Sequence, residues 1–227
     1  VQKIAVIGLG RFGMTLAKLM SASGVEIIAI DIDRQLVNEI KDEVDVAVRL
    51  DSTDEVALRS QDIDKVDVCV VAIGENFEAA LLTTVIAKKL GIPRVICRAQ
   101  TQFHADIFRQ IGADEVIQPE IQAGQYLARK LANPHIKDFI ALAEGYTLIE
   151  LEAPKAFVGK ALQELALRGT YGVNLVAIKR SGKIEQDGET IEDTEVIGVP
   201  KASDRIEQGD TLVLVGNDEA LARLPKE

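Results

Sequence analysis

The segment Gly8-Leu9-Gly10-Arg11-Phe12-Gly13 constrains this chain more than any other stretch. It stands between an apolar run, Ile4 to Ile7, and a helical pattern that returns as a second apolar run closing on Asp31. Strand, glycine turn, helix and strand in that order predict the opening unit of a doubly wound sheet. Gly8 permits the tight turn, Gly10 lets backbone approach a pyrophosphate, and Gly13 lets the helix pack against the strand. The first helical turn offers unpaired N–H groups and the positive end of the helix dipole to phosphate oxygens. Asp31, 18 residues after Gly13, is spaced for a carboxylate that accepts both ribose hydroxyls and repels a 2′-phosphate.

At 227 residues the chain is comfortable for two domains, and its 47% hydrophobic content is ordinary for a globular protein. No apolar stretch reaches the roughly 18 residues of a membrane span, so a soluble chain is expected. It opens directly on a strand without a basic-then-apolar leader, which points away from secretion. A net charge of −10 argues against nucleic acid as a partner. Cys69 and Cys97 sit in the strand-like runs VDVCVVAI and RVICRA and read as buried, reduced thiols in a cytoplasmic setting.

After Asp31, Leu36, Val37 and Ile40 recur at helical spacing between Arg34 and Glu43, and Val44 to Leu50 reads as strand three. Asp51-Ser52-Thr53-Asp54 follows, with Ser52 or Thr53 placed to cap a short helix through Leu58. Val66 to Ile73 is strand four, and Gly74-Glu75-Asn76 turns into a helix from Phe77 to Leu90. Arg94 to Arg98 is strand five, Gln102 to Ile111 a helix, and Asp114 to Gln118 strand six. Six strands alternating with helices predict an α/β fold, a Rossmann-like doubly wound parallel sheet in the order 3-2-1-4-5-6.

Residues 1–133 then form a nucleotide-binding domain that ends after a helix from Ile121 to Leu131. Residues 134–145 form a linker in which Ile136 to Ala143 makes one further helix, and residues 146–227 form a small α+β C-terminal domain. Within that domain Tyr146 to Leu151, Val173 to Lys179, Val196 to Val199 and Thr211 to Val215 read as strands. Gly159 to Arg168 and Asp218 to Leu224 read as helices, and Ser181-Gly182-Lys183 as a hairpin turn.

The chemistry-bearing residues favour holding a ligand over converting one. Hydride transfer needs a general acid or base beside the nicotinamide. Yet His104 and His135 lie on polar helical stretches without an evident orienting carboxylate, and no nucleophile triad or Cys/His metal spacing is present. Arg11, between Gly10 and Gly13, can grip phosphate oxygens in a bidentate fork, which suits a ligand with terminal phosphate charge such as ADP or ATP. A simply solvated arginine is the alternative. Asp51 and Thr53, with Ser52 between them, either line the adenine side of the crevice or serve only as a helix cap. Ile73, Gly74, Glu75 and Asn76 border the switch point between strands one and four, where open α/β sheets bind ligands.

With these segments in place the chain resembles the RCK family (regulator of potassium conductance), in its KtrA/TrkA-type subunits with a TrkA-N and a TrkA-C domain. The resemblance is carried by GLGRFG at 8–13, AIDID at 29–33, DSTDE at 51–55 and VVAIGENFEAALLTT at 70–84. RVICRAQ at 94–100, IGADEVIQPE at 111–120 and RGTYGVNLVAIKRSG at 168–182 extend it along almost the whole chain in the right order.

The resemblance implies a cytoplasmic, non-enzymatic regulatory subunit, peripheral to the inner face of the cell membrane. Such a subunit gates a potassium channel or transporter by binding ADP, ATP or NAD(H). It forms homodimers that assemble into an octameric ring beneath the membrane subunit. By position, Gly8, Gly10 and Gly13, with Phe12 beside them, would hold phosphates, Asp31 and Ile32 the ribose side, and Arg11 the terminal phosphates. Asp51, Ser52 and Thr53 would approach the adenosine, and Arg98 stands where the family often has Lys near the nucleotide. Glu120 matches a glutamate that helps bind a divalent cation, Mg2+ or Ca2+, at the dimer interface, although Gln118 replaces a His common in that motif. An ordinary carboxylate at a helix N-terminus is the alternative for Glu120. The C-terminal domain is similar to modules that bind cyclic di-AMP, with Asn174, Leu175, Val176, Ala177 and Ile178 plus Arg168 as the candidate wall, unless that strand is simply core. An NAD-dependent oxidoreductase, or a regulator of another cation transporter or antiporter, are the other readings the sequence leaves open.

Overall fold

The computed structural model describes residues 2–186 and 189–225. Contacts divide the chain into two compact units, Val1–Ala123 and Gly124–Glu227. In the first unit, β1 (Lys3–Ile7), β2 (Glu26–Asp31), β3 (Val46–Arg49), β4 (Val68–Val71), β5 (Arg94–Arg98) and β6 (Glu115–Ile117) form one sheet. Its order is β3-β2-β1-β4-β5-β6 and all its pairings are parallel, as the alternation of strands and helices predicts. The helices are α1 (Arg11–Ala22), α2 (Arg34–Ile40), α3 (Glu55–Ser60), α4 (Phe77–Lys89) and α5 (Gln102–Gln110).

Successive residues of the central strands enter two different cores. Ala5, Ile7, Ile28, Ile30 and Val71 pack in one, around Phe108. Ile4, Val6, Ile27, Ala29 and Val70 pack in the other, around Met14 and Ala17. Side chains alternate across a strand, so burial on both faces requires the unbroken apolar runs seen in the sequence. The two thiols are buried as expected, and burial pushes Cys69 up to about 12 and Cys97 up to about 11. The cap of α3 departs from expectation. Asp54 accepts the Val56 and Ala57 N–H groups at 2.9 and 3.1 Å, so neither Ser52 nor Thr53 fills that place.

The chain leaves the first unit along α6 (Pro119–Ala132), which has no buried residue. The second unit is an antiparallel sheet in the order β10-β9-β11-β8-β7. Its strands are β7 (Ile136–Ala143), β8 (Tyr146–Glu152), β9 (Asn174–Gln186), β10 (Glu189–Ile197) and β11 (Thr211–Asn217). Three short helices, α7 (Leu162–Leu165), α8 (Leu167–Tyr171) and α9 (Asp218–Ala222), complete it. Ile149, Leu151, Phe157, Ile178, Leu212 and Leu214 build its core.

Three expectations are corrected here. Ile136 to Ala143 is a strand and not a helix, because its backbone pairs antiparallel with β8 across a reversal at 144–145. Ser181 and Gly182 do not turn. They lie within β9, where Ser181 pairs with Thr194 and Gly182 with Asp193, and the link from β9 to β10 falls at 187–188, outside the described residues. The helix expected from Gly159 to Arg168 is split in two, since Ala166 adopts a left-handed φ of 45° while its N–H still bonds Leu162 O. No helix among the described residues is long and apolar enough to cross a membrane.

Candidate functional site

The C-terminal ends of β1, β2, β4 and β5 open onto one cleft of about 1080 Å³. Its floor is the glycine turn. Gly8 has φ +98°, and a Cβ there would lie 2.7 Å from the Ile73 N atom, so only glycine leads from β1 toward α1 beside the switch-point turn without strain. A Cβ on Gly13 would strike the Gly8 carbonyl oxygen, which fixes how closely α1 can approach β1. At Gly10 nothing lies within 4 Å of an added Cβ, so the space above that residue is open. Gly10 caps α1 without a side-chain hydrogen bond, and the helix's first turn carries no acid. The first bond of α1 is Met14 N–H to Gly10 O at 2.9 Å. The N–H groups of Arg11, Phe12 and Gly13 precede it and have no partner inside the helix. An anion placed at Gly10 would meet those donors and the positive dipole end.

Asp31 ends β2 and ties the turn to it. One carboxylate oxygen accepts the Leu9 N–H at 2.6 Å and the other accepts the Asp33 N–H at 2.8 Å. Lone pairs remain on both oxygens for further donors. Beyond β3, the Thr53 hydroxyl and the Thr53 N–H donate to one Asp51 oxygen at 2.7 and 2.9 Å. Those two bonds hold the Asp51 carboxyl below its usual range. The Ser52 hydroxyl is directed inward, 2.7 Å from the buried Thr83 hydroxyl of α4. Asn76 caps α4 by accepting the Ala79 N–H at 2.9 Å.

The far wall carries an ion pair. Arg98, at the end of β5, is ion-paired with Glu120 in the first turn of α6. Its side chain is only 16% exposed, and its Nε is buried without a hydrogen-bond partner. Gly74 stands against the guanidinium, so a Cβ there would require Arg98 to shift. The Glu120 carboxyl is held low by its own backbone N–H first, then by Arg98 and by the charge of Arg11. Gln118 Nε2 is a second buried donor without a partner.

Of the residues singled out from the sequence, Gly8, Gly10, Arg11, Phe12, Asp31 and Ile32 line this cleft. So do Asp51, Ser52, Thr53, Ile73, Gly74, Glu75, Asn76, Arg98 and Glu120. Gly13 does not line it and acts from behind, through its contact with Gly8. Thr15, Leu36, Leu82 and Gln100 also line it and were not foreseen. Gln100 belongs to the RAQ segment and could have been, whereas Leu36 and Leu82 lie on helices where apolar residues read as core. Neither histidine lines the cleft: His104 is half-buried with its ring stacked 4.0 Å from Phe77, and His135 is exposed. In the second unit Arg168 Nε donates to Asn174 at 2.9 Å. Ala177 and Ile178 belong to the buried interior, Leu175 is half-buried, and Arg168, Asn174 and Val176 of that candidate wall are exposed.

Residues 4–119 match the TrkA-N domain and residues 146–227 the TrkA-C domain. Over 225 residues the chain is 38% identical to the Ktr system potassium uptake protein C of Bacillus subtilis (strain 168), covering 99% of this chain and 96% of that protein. It is 33% identical over 226 residues to the Ktr system potassium uptake protein A of the same organism, covering 100% of this chain and 96% of that one. The solved RCK domain of GsuK superposes with a TM-score of 0.55 at 25% identity over 97% of this chain, which spans 45% of the GsuK chain.

Proposed function

The chain belongs to the TrkA-N/TrkA-C family of Ktr and Trk potassium uptake proteins, and on that premise we propose that it senses adenine nucleotides for a potassium transport system. Its role is that of a non-enzymatic regulatory subunit, as membership of this family implies. The observation that carries the nucleotide reading is the cleft itself. A single space joins an uncapped helix N-terminus at Gly10, an acid at the tip of β2 and two arginines, Arg11 and Arg98. Phosphates would rest on the Arg11, Phe12 and Gly13 N–H groups, the ribose would approach Asp31 and Ile32, and the base would lie near Asp51, Ser52 and Thr53. Ile73, Gly74, Glu75 and Asn76 would close the side at the switch point.

We favour ATP and ADP over NAD(H), because a terminal phosphate offers arginine more charge and more free oxygens than an esterified one. Among the described residues no group of three or more His, Cys, Asp and Glu side chains could hold a metal ion. Glu120 would supply one carboxylate to a divalent cation, Mg2+ or Ca2+, with phosphate oxygens, water or a second subunit completing its ligands. A ligand can move this subunit between conformations only as far as it binds one better than another. Homodimers assembled into an octameric ring, a seat at the inner face of the membrane and cyclic di-AMP on the C-terminal unit are parts of the same reading.

The test is calorimetric titration of ATP, ADP, NAD and NADH, with light scattering on the same samples. Saturable binding with ATP or ADP preferred, by a dimer or larger assembly, is expected. A monomer that binds none of the four overturns the reading.

A further inference from the structure

Arg98 and Glu120 are unequal partners. The Arg98 side chain is 16% exposed and that of Glu120 is 62% exposed, so one charge is fixed in the wall and the other stands at the cleft surface. Arg98 Nε has no partner, so Glu120 leaves donor capacity on the guanidinium unused. Gly74 confines the guanidinium from the other side. Arg11 lines the same cleft and adds its charge to that of Arg98 at the Glu120 carboxyl. One carboxylate is thus paired with one arginine and shares its cleft with a second arginine and with the helix end that suits an anion. Carboxylate and phosphate oxygens use the same guanidinium donors in the same fork geometry.

Building on the reading of the cleft as a nucleotide site, we infer that Glu120 is an internal stand-in for the ligand's outermost phosphate. It holds Arg98 while the cleft is empty and must yield when a nucleotide is long enough to reach that guanidinium. A nucleoside monophosphate ends at the Gly10 turn and leaves the pair intact. With no divalent cation between them, a triphosphate that extends toward Arg98 meets the charge of Glu120 and has to displace it. Glu120 is the second residue of α6, the helix along which the chain leaves the first unit. Phosphate length is therefore read at the start of that helix, and Glu120 sets the discrimination between short and long nucleotides.

The experiment is calorimetric titration of the full chain with AMP, ADP and ATP in EDTA, for the native protein and Glu120→Gln, which keeps the shape of the side chain and removes its charge. The inference expects ATP to bind about tenfold tighter to the variant, with AMP within about twofold, because only the longer ligand meets the charge. A ratio of ATP to AMP affinity that is unchanged or lower in the variant overturns this inference while leaving the nucleotide site standing. Failure of all three nucleotides to bind either protein overturns both.

Discussion

The carboxylate of Asp31 accepts the backbone N–H of Leu9 at 2.6 Å, fastening the tip of β2 to the glycine turn that follows β1. The acid that the sequence offers to a ribose is thus also a brace for the phosphate turn. Asp31→Ala removes this bond and the one to Asp33 N–H. It should cost about 2–3 kcal/mol of stability, since hydrogen bonds to charged groups contribute more than neutral ones. Asp31→Asn keeps one acceptor and should cost about 1 kcal/mol. Urea unfolding of the three proteins checks both values, and the loss in Asp31→Ala should appear with no nucleotide present.

Gly10 and Gly13 should separate binding from folding. A Cβ at Gly13 meets the Gly8 carbonyl, whereas one at Gly10 meets nothing. Gly13→Ala should destabilise by about 1–3 kcal/mol through overpacking. Gly10→Ala should cost about 1 kcal/mol, as alanine is a poorer helix cap than glycine. Gly10→Ala should nonetheless weaken ATP binding, because the added methyl fills the space where phosphate approaches backbone. Denaturant midpoints and calorimetric titration, run on both variants, read the two effects apart.

Arg11→Ala tests the assignment of that guanidinium to terminal phosphates. ATP affinity should fall about 10- to 100-fold, the loss of a charge-assisted bidentate contact, and NAD affinity by much less. Equal losses for ATP and NAD would remove the terminal-phosphate role.

In the second unit Asp210 is 1% exposed, and Arg180 donates to its two oxygens at 2.8 Å from Nε and from a terminal nitrogen. Burial pushes the Asp210 carboxyl up, but the Arg180 hydrogen bonds, the Glu207 N–H and the Arg180 charge together outweigh it and bring it below 3.8. A carboxyl held lower in the folded chain stabilises fully above its unfolded value, and that stability is lost as pH falls through the folded value. Asp210→Asn should cost about 2–3 kcal/mol near neutral pH, discounted for the partial exposure of Arg180. Between about pH 5 and about pH 3 the native protein should lose stability faster than the variant, so that the gap narrows. Denaturant midpoints across that range measure it.

The first unit was legible because its central strands are buried on both faces and two glycines of its turn, Gly8 and Gly13, are forced by contact. Ala5 and Ile7 enter one core, Ile4 and Val6 the other, so every position of the strand must be apolar and the run is continuous. β7 was not legible, since Ile136, Phe139, Ile140 and Ala143 recur at helical spacing. Shifts of register at 136–138 and 141–143 break the alternation that would have marked a strand. Ser181-Gly182 has the composition of a turn, but tertiary pairing with β10 overrides that local preference. In the cleft, residue types at strand ends were readable from the motif and the topology. The links among them were not: Asp31 to Leu9, Ser52 to Thr83 and Arg98 to Glu120 each join residues about twenty to thirty apart, and nothing in local pattern encodes them.

The most direct test of the nucleotide-sensing account is hydrogen exchange of the full chain with and without saturating ATP. The account predicts slowed exchange at the N–H groups of Arg11, Phe12 and Gly13, which have no partner inside α1 and would bond phosphate. Unchanged exchange at those three positions in the presence of ATP would contradict it.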